Sequence, residues 1–404
     1  MILELFIALV LGISIGVITG LLPGIHINLV SAILLSLSAS NFISTQPIIL
    51  AVFITALSIT HIFIDFIPTI FLGAPNEDTA LSILPGHEML LEGYGYEAII
   101  ISVLGAITGI FLLIPISLLF ILTLPTIYEY ATNIMPIILI IILLFMLFFE
   151  KNKILKTLFI MILSGLLGIS VLFIGLNLKE PLLPLLTGLF GSSSLILSIS
   201  KTQKIPKQNI IPLKNIIKEN KEIAKPIFAS LIASPICSFL PGLGSNQAST
   251  IGAYIIGQLK RKQFLFLIGI VNSLVMSLSF ITLFLINKSR TGSAAYIAKL
   301  LPNLSTNNLI LILISLIITS FLAFAITIPI AKFFSKNISK INYNLLSIFI
   351  LVFLSLIIIF FSGFLGFLVF TISTFLGITC ILLNVKRTTL MACLLIPTIL
   401  YYIL

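Results

Sequence analysis

The tripeptide Leu22-Pro23-Gly24 interrupts an apolar run, and Leu240-Pro241-Gly242 interrupts another 218 residues later in a chain of 404. An asparagine stands four residues after each glycine, Asn28 in the first copy and Asn246 in the second. Paired breaks at equivalent positions of two membrane halves are the strongest sequence-level pointer to a binding site inside a repeated membrane unit. The surrounding composition leaves little room for anything else. A mean hydropathy of +1.28 with only 8% charged residues excludes a soluble globular domain. The apolar runs reach the roughly 20 residues that a spanning helix needs. The expected fold class is therefore an all-α polytopic membrane protein.

The runs divide into two similar sets. Residues 5–22 and 28–43 form a broken pair, followed by crossings at about 46–71, 98–124, 127–149, 154–177 and 181–199. A polar linker, 200–225, is rich in lysine. Residues 226–239 and 246–259 form the second broken pair, followed by crossings at about 264–286, 307–331, 343–361, 363–384 and 388–404. The chain thus reads as a first membrane repeat (1–199), the basic linker and a second membrane repeat (226–404). The arms of the second pair are too short to span, which suits a re-entrant hairpin with Pro-Gly at its tip. The equivalent first pair, about 5–43, is read the same way, although its longer arms leave a full crossing open.

Charge sets the orientation. No Lys or Arg precedes Lys151, whereas nine of the twelve acids lie at or before Glu150. With 200–225 in the cytoplasm, Lys151 to Lys156, Lys260-Arg261-Lys262, Lys332 to Lys340 and Lys386-Arg387 all fall on that side, as the positive-inside rule requires. Both termini then lie outside the cytoplasmic membrane. Five crossings after each hairpin is an odd number, so the halves are antiparallel: an inverted-topology repeat. The absence of a basic N-terminal region argues against a cleaved signal peptide. Cys237, Cys380 and Cys393 have no metal-like spacing and read as small core residues. The net charge of +10 is segregated between apolar runs, which gives no sign of a nucleic-acid partner.

Two facing helix N-termini after the breaks present unpaired N–H groups and partial positive charge, enough to hold an anion. Pro23, Gly24, Asn28, Pro241, Gly242, Gly244, Ser245 and Asn246 are the candidate substrate contacts, with asparagine as the helix cap. The loop Gly73-Ala74-Pro75-Asn76-Glu77-Asp78-Thr79-Ala80, continued by Leu84-Pro85-Gly86-His87-Glu88, is acidic and rich in turn formers. Its counterpart, Lys288-Ser289-Arg290-Thr291-Gly292, is basic. A coupling cation near His61, Asp65, Asn76 and Asp78, and an anion contact from Arg290, would suit a transported carboxylate. His61 and Asp65 lie four apart and share a helix face, and ionisable groups within a span are expensive and usually functional. The bland alternatives are solvated loops, a kink with a capping residue and a buried pair that fixes packing.

The Pro-Gly breaks, Gly73-Ala74-Pro75 with Thr79-Ala80, the Pro85-Gly86-His87 turn leading to Glu92-Gly93, and Lys288-Ser289-Arg290-Thr291-Gly292 resemble the TctA family, in its shorter archaeal-type branch. The resemblance runs nearly the whole chain. It implies the large permease subunit of a tripartite tricarboxylate transporter. Such a permease takes up a di- or tricarboxylate with H+ or Na+, beside a small membrane subunit and an extracytoplasmic binding protein.

The reading from these features is a secondary active transporter for an organic anion, working by alternating access around the two tips. It has no cofactor beyond the coupling ion, is embedded in lipid and forms a homodimer. The same fold carrying a cation or a neutral solute is the alternative. An intramembrane enzyme using His61, Asp65 and His87 is a third reading, but no catalytic motif supports it.

Overall fold

The computed structural model describes residues 2–22, 46–73, 79–148, 153–173, 178, 181–200, 205–219, 222–240, 244–257, 259–340 and 343–404. Among these residues there is no strand, and seven helices are long and apolar enough to cross a bilayer. The chain is an all-α polytopic membrane protein.

The first packing unit is α1 (Ile2–Leu21) on α2 (Pro47–Ile64), which continues past Asp65 as α3 (Phe66–Leu72). Gly12, Gly16 and Gly20 recur every fourth residue and so line one face of α1. A Cβ at Gly12 would stand 2.6 Å from the Phe53 carbonyl oxygen, one at Gly16 2.7 Å from Thr60 Cβ, and one at Gly20 2.8 Å from Ile64 Cβ. The contacts advance together along both helices, so α1 and α2 run parallel with their backbones close. Small residues permit this approach where lipid supplies no hydrophobic drive between helices. Leu22 and Pro47 therefore lie at opposite ends of the pair.

Helix α4 (Ile83–Leu91) leads into α5 (Gly95–Phe148), which carries Pro115, Pro125 and Pro136. Its contacts show that α5 folds back on itself. Near its start Glu97 binds Lys262, Tyr128 then reaches the ring of Phe239, and Phe145 near its end meets Tyr254. Phe239 closes α10 (Ala224–Phe239), whereas Tyr254 lies near the far end of α11 (Ser245–Ile256). Because Gly252 packs on Ala229, α10 and α11 are antiparallel, and Tyr254 returns to the end where Lys260 binds Glu222.

Between these stretches lie α6 (Ile154–Gly168), α7 (Leu182–Leu186), a wider π-helical stretch (Thr187–Ser192), α8 (Ser193–Ser200) and α9 (Leu213–Glu219). After α11 come α12 (Arg261–Ile286), α13 (Gly292–Leu300), α14 (Thr306–Asn337), α15 (Tyr343–Leu382) and α16 (Ala392–Ile403). Gly363, at φ 67°, lets α15 turn sharply where a side chain would strain the backbone.

Two helices form the centre. Every residue of α2 from Ile48 to Ile64 is buried, and every residue of α12 from Leu265 to Leu283. By contrast α15 keeps Phe349 and Phe360 exposed, as a lipid-facing helix does. The central helices take reciprocal partners. Helix α12 lies parallel on α5, where Gly105 faces Phe266 and Ile270 and Gly109 faces Ile270 and Ser273; α2 lies on α14.

Several expectations need correction. Leu84 to Glu88 are helical, because Pro85 falls in the first turn of α4, where its missing N–H removes no hydrogen bond. Part of the linker packs against the end of α4 and the start of α5. Gln208 accepts from Gly95 N and donates to the Leu90 carbonyl, and Ile216 is fully buried. The last apolar stretch is a short 3₁₀ turn, Arg387–Met391, followed by twelve helical residues. Arg387, expected as a cytoplasmic charge, is buried beneath the π-helical stretch, whose Leu189 and Phe190 carbonyls accept from its Nη2 at 2.8 and 2.6 Å.

Candidate functional site

Two polar clusters flank the buried middle of α2 and α12. The first gathers where α1 ends against α2. Asp65, only 3% exposed, accepts from Thr79 Oγ1 at 2.6 Å, and Thr69 stands 2.9 Å from the same hydroxyl. With Thr79's hydrogen committed to the carboxylate, Thr69 is the donor to Thr79. One turn earlier His61 Nδ1 lies 3.1 Å from Thr19 Oγ1, whose hydrogen points to the Gly16 carbonyl. Nδ1 is therefore the protonated ring nitrogen, as assigned from this network. His61 and Asp65 share the α2 face as expected. Asn76 and Asp78, like Pro23, Gly24 and Asn28, lie outside the described residues.

The second cluster surrounds Arg290. Its guanidinium lies 5.9 Å from the centre of the Tyr128 ring, which in turn packs on Phe239 beside the second break. Arg290 Nε and Nη2 are buried and have no hydrogen-bond partner among the described residues, and the Tyr402 hydroxyl is in the same condition. Arg290 is near enough for its charge to act on that hydroxyl. All three are groups that can donate, and arginine can only donate. Buried donors without acceptors are uncommon in a native fold and call for a ligand, ion or water.

Residues 291–293 join the clusters. Thr291 shares a hydrogen bond with Ser279 of α12 at 2.8 Å and caps α13, and Ser293 bonds Ser58 of α2 at 2.5 Å. Ser58 is one turn from His61. The segment beside Arg290 is thus fixed to both central helices.

At the second break, Pro241 and Gly242 lie outside the described residues. Ser245 and Asn246 are buried in the first turn of α11. Asn246 is not the cap; Gly244 occupies that position, and its N–H donates to the Gln247 side chain at 2.9 Å. Gln247, at the third helical position, thus reaches back to satisfy the N–H of the capping residue itself.

His87 is separate from both clusters. Its ring donates from Nδ1 to the Ile70 carbonyl, and burial holds its pKa below the usual histidine value. Sequence reasoning missed Thr19, Tyr128 and Tyr402. Only the interrupted helices bring them to His61 and Arg290, and nothing in their local sequence marks them.

Fold and site together define a polytopic helical membrane protein with a buried acid in one polar cluster and unpaired donors in another. The chain belongs to the tripartite tricarboxylate transporter TctA family, whose profile matches residues 6–392. It is also 33% identical over 410 residues to an uncharacterized protein of Methanocaldococcus jannaschii, covering 98% of each chain. No solved structure matches the chain.

Proposed function

We propose that this protein is a secondary active transporter that moves a di- or tricarboxylate across the cytoplasmic membrane together with Na+ or H+. The carrying observation is the set of three buried donors, Arg290 Nε and Nη2 and the Tyr402 hydroxyl, for which no protein acceptor is described. A carboxylate supplies planar, charged acceptors that match the arginine fork. Asp65, with its threonine relay, is the coupling group, and His61 its neighbour in the same span. Asn76 and Asp78 belong with it by their place in the chain. Pro23, Gly24, Asn28, Pro241, Gly242, Gly244, Ser245 and Asn246 complete the substrate contacts at two hairpin tips.

The inverted repeat is supported by the reciprocal pairing of α12 with α5 and of α2 with α14. The first hairpin is supported by Leu22 and Pro47 ending on opposite sides of the α1–α2 pair, the distance a returning arm has to cover. Alternating access then moves the hairpin unit against the lipid-facing helices, with both termini outside. Family membership supports a small membrane subunit and an extracytoplasmic binding protein as partners; a homodimer is part of the same proposal.

Uptake into sealed proteoliposomes under imposed Na+ or H+ gradients tests the reading. Carboxylate accumulation that depends on one gradient is expected. Gradient-driven uptake of a cation or neutral solute with no carboxylate uptake would overturn it.

A further inference from the structure

A cavity of about 1020 Å³, lined by no residue of either cluster, lies between the start of α12, the base of α10 and one face of α5. Its rim carries the ion pairs Lys260–Glu222, at 2.9 Å with both side chains largely exposed, and Arg261–Glu92, at 2.7 Å; just inside it Lys262 reaches the buried Glu97. From the rim the wall continues along α5 through Leu104 to Phe111. Phe111 is 56% exposed and is followed on α5 by exposed Ile114 and Leu118, so this end of the cavity opens on the face that meets lipid tails.

We infer that this cavity is a binding site for one membrane phospholipid whose headgroup carries both a phosphate and an amine. Fourteen residues of helix separate Glu97 from Phe111, about 21 Å at 1.5 Å per residue. That length matches one leaflet's hydrocarbon, roughly 15 Å, plus the headgroup layer. The polarity gradient runs the same way, charged at the rim and apolar toward the lipid-facing end. The rim's cations are each paired with a carboxylate, so a purely anionic head would meet acids as well as bases. A zwitterionic head places its phosphate against Lys260 and its amine against Glu222 and exchanges one ion pair for two. Cargo has no part in this argument: a transported carboxylate has no apolar segment to cover the Leu104–Phe111 wall.

The chain contains no tryptophan, so a single introduced indole reports without background. Leu104→Trp in the full-length protein, reconstituted in vesicles of an uncharged digalactosyl lipid, places the reporter in the cavity; Phe360→Trp, on exposed α15, reports bulk lipid. A small fraction of tail-brominated phosphatidylethanolamine is expected to quench Leu104→Trp far more strongly than Phe360→Trp, with aqueous iodide ineffective at both. About tenfold enrichment over bulk corresponds to the specific site. Adding Lys260→Gln and Glu222→Gln together should return the quenching to the bulk level. Native mass spectrometry of the purified wild-type protein gives a second reading that needs no reporter, with one retained aminophospholipid expected. Iodide quenching at Leu104→Trp without excess brominated-lipid quenching would mean a water-filled vestibule and overturn the inference. So would purified protein that retains no phospholipid.

Discussion

Arg290→Gln separates a ligand-binding arginine from a structural one. Two guanidinium nitrogens of Arg290 are buried without partners. Each hydrogen bond from a charged donor to a carboxylate contributes roughly 1.5–3 kcal/mol. Taking the lower figure for both gives about 3 kcal/mol, which at about 1.4 kcal/mol per decade is a loss of roughly two orders of magnitude in carboxylate affinity. Arg290→Lys keeps the charge but loses the fork, so an intermediate loss is expected. The unliganded protein should respond differently. Removing a buried, unpaired charge takes away no hydrogen bond at Nε or Nη2, so thermal stability in detergent should stay level or rise. The assay is a pair of melting curves for wild type and variant, with and without carboxylate, beside concentration-dependent uptake in proteoliposomes. The reasoning requires a lost ligand-induced shift with an undiminished unliganded midpoint. A variant that melts well below wild type without ligand, yet keeps its ligand-induced shift, would show that Arg290 holds the fold and not the substrate.

Asp65→Asn should uncouple carboxylate uptake from the cation gradient, and Thr79→Val should weaken that coupling by removing the donor to Asp65; gradient-driven uptake unchanged in both would refute the coupling assignment. Gly16→Val should lower the melting temperature, since overpacking a close helix contact costs about 1–3 kcal/mol and the Leu57 carbonyl oxygen and Thr60 leave no space. His87 has a folded-state pKa below its ordinary 6.5. The unfolded chain therefore takes up a proton that the folded one resists, and stability should fall as pH drops through and below that value. His87→Gln should flatten this acid-side decline in a melting series. A cysteine at Lys214 should resist impermeant labelling from outside intact cells; ready labelling would reverse the orientation.

Hydropathy and the paired breaks made the helical membrane fold readable because lipid demands long apolar helices. The His61–Asp65 spacing was readable because it is local. Thr79 stood in a recognisable loop, but its bond to Asp65 depends on how α3 and α4 meet, which no local pattern encodes. Arg387 shows the limit of reading charge as topology. As a basic residue between apolar runs it reads as a cytoplasmic charge, yet it is buried and donates to the Leu189 and Phe190 carbonyls of the π-helical stretch. Tyr402 lies more than a hundred residues from Arg290, and an apolar terminal run gives no sign that its hydroxyl ends beside a guanidinium.

The two clusters answer one energetic problem in the proposed function. A negative-inside potential opposes an entering anion by about 2.3 kcal/mol per charge per 100 mV, so each carboxylate charge must travel with a cation. A carrier that admitted the anion alone would let the potential expel it. In that proposal the anion and cation sites must sense each other, and residues 291–293 would be the link. Thr291, next to Arg290, is bonded to α12 through Ser279, and Ser293 is bonded to α2 through Ser58, one turn from His61. An anion that drew Arg290 inward would displace this segment and disturb Ser279 or Ser58. Because α2 is buried along its length, a shift at Ser58 would be carried toward Asp65 instead of being absorbed by a loose surface. Anion binding and cation binding would then favour the same arrangement of the central helices, and by linkage each would raise the affinity for the other by the same factor.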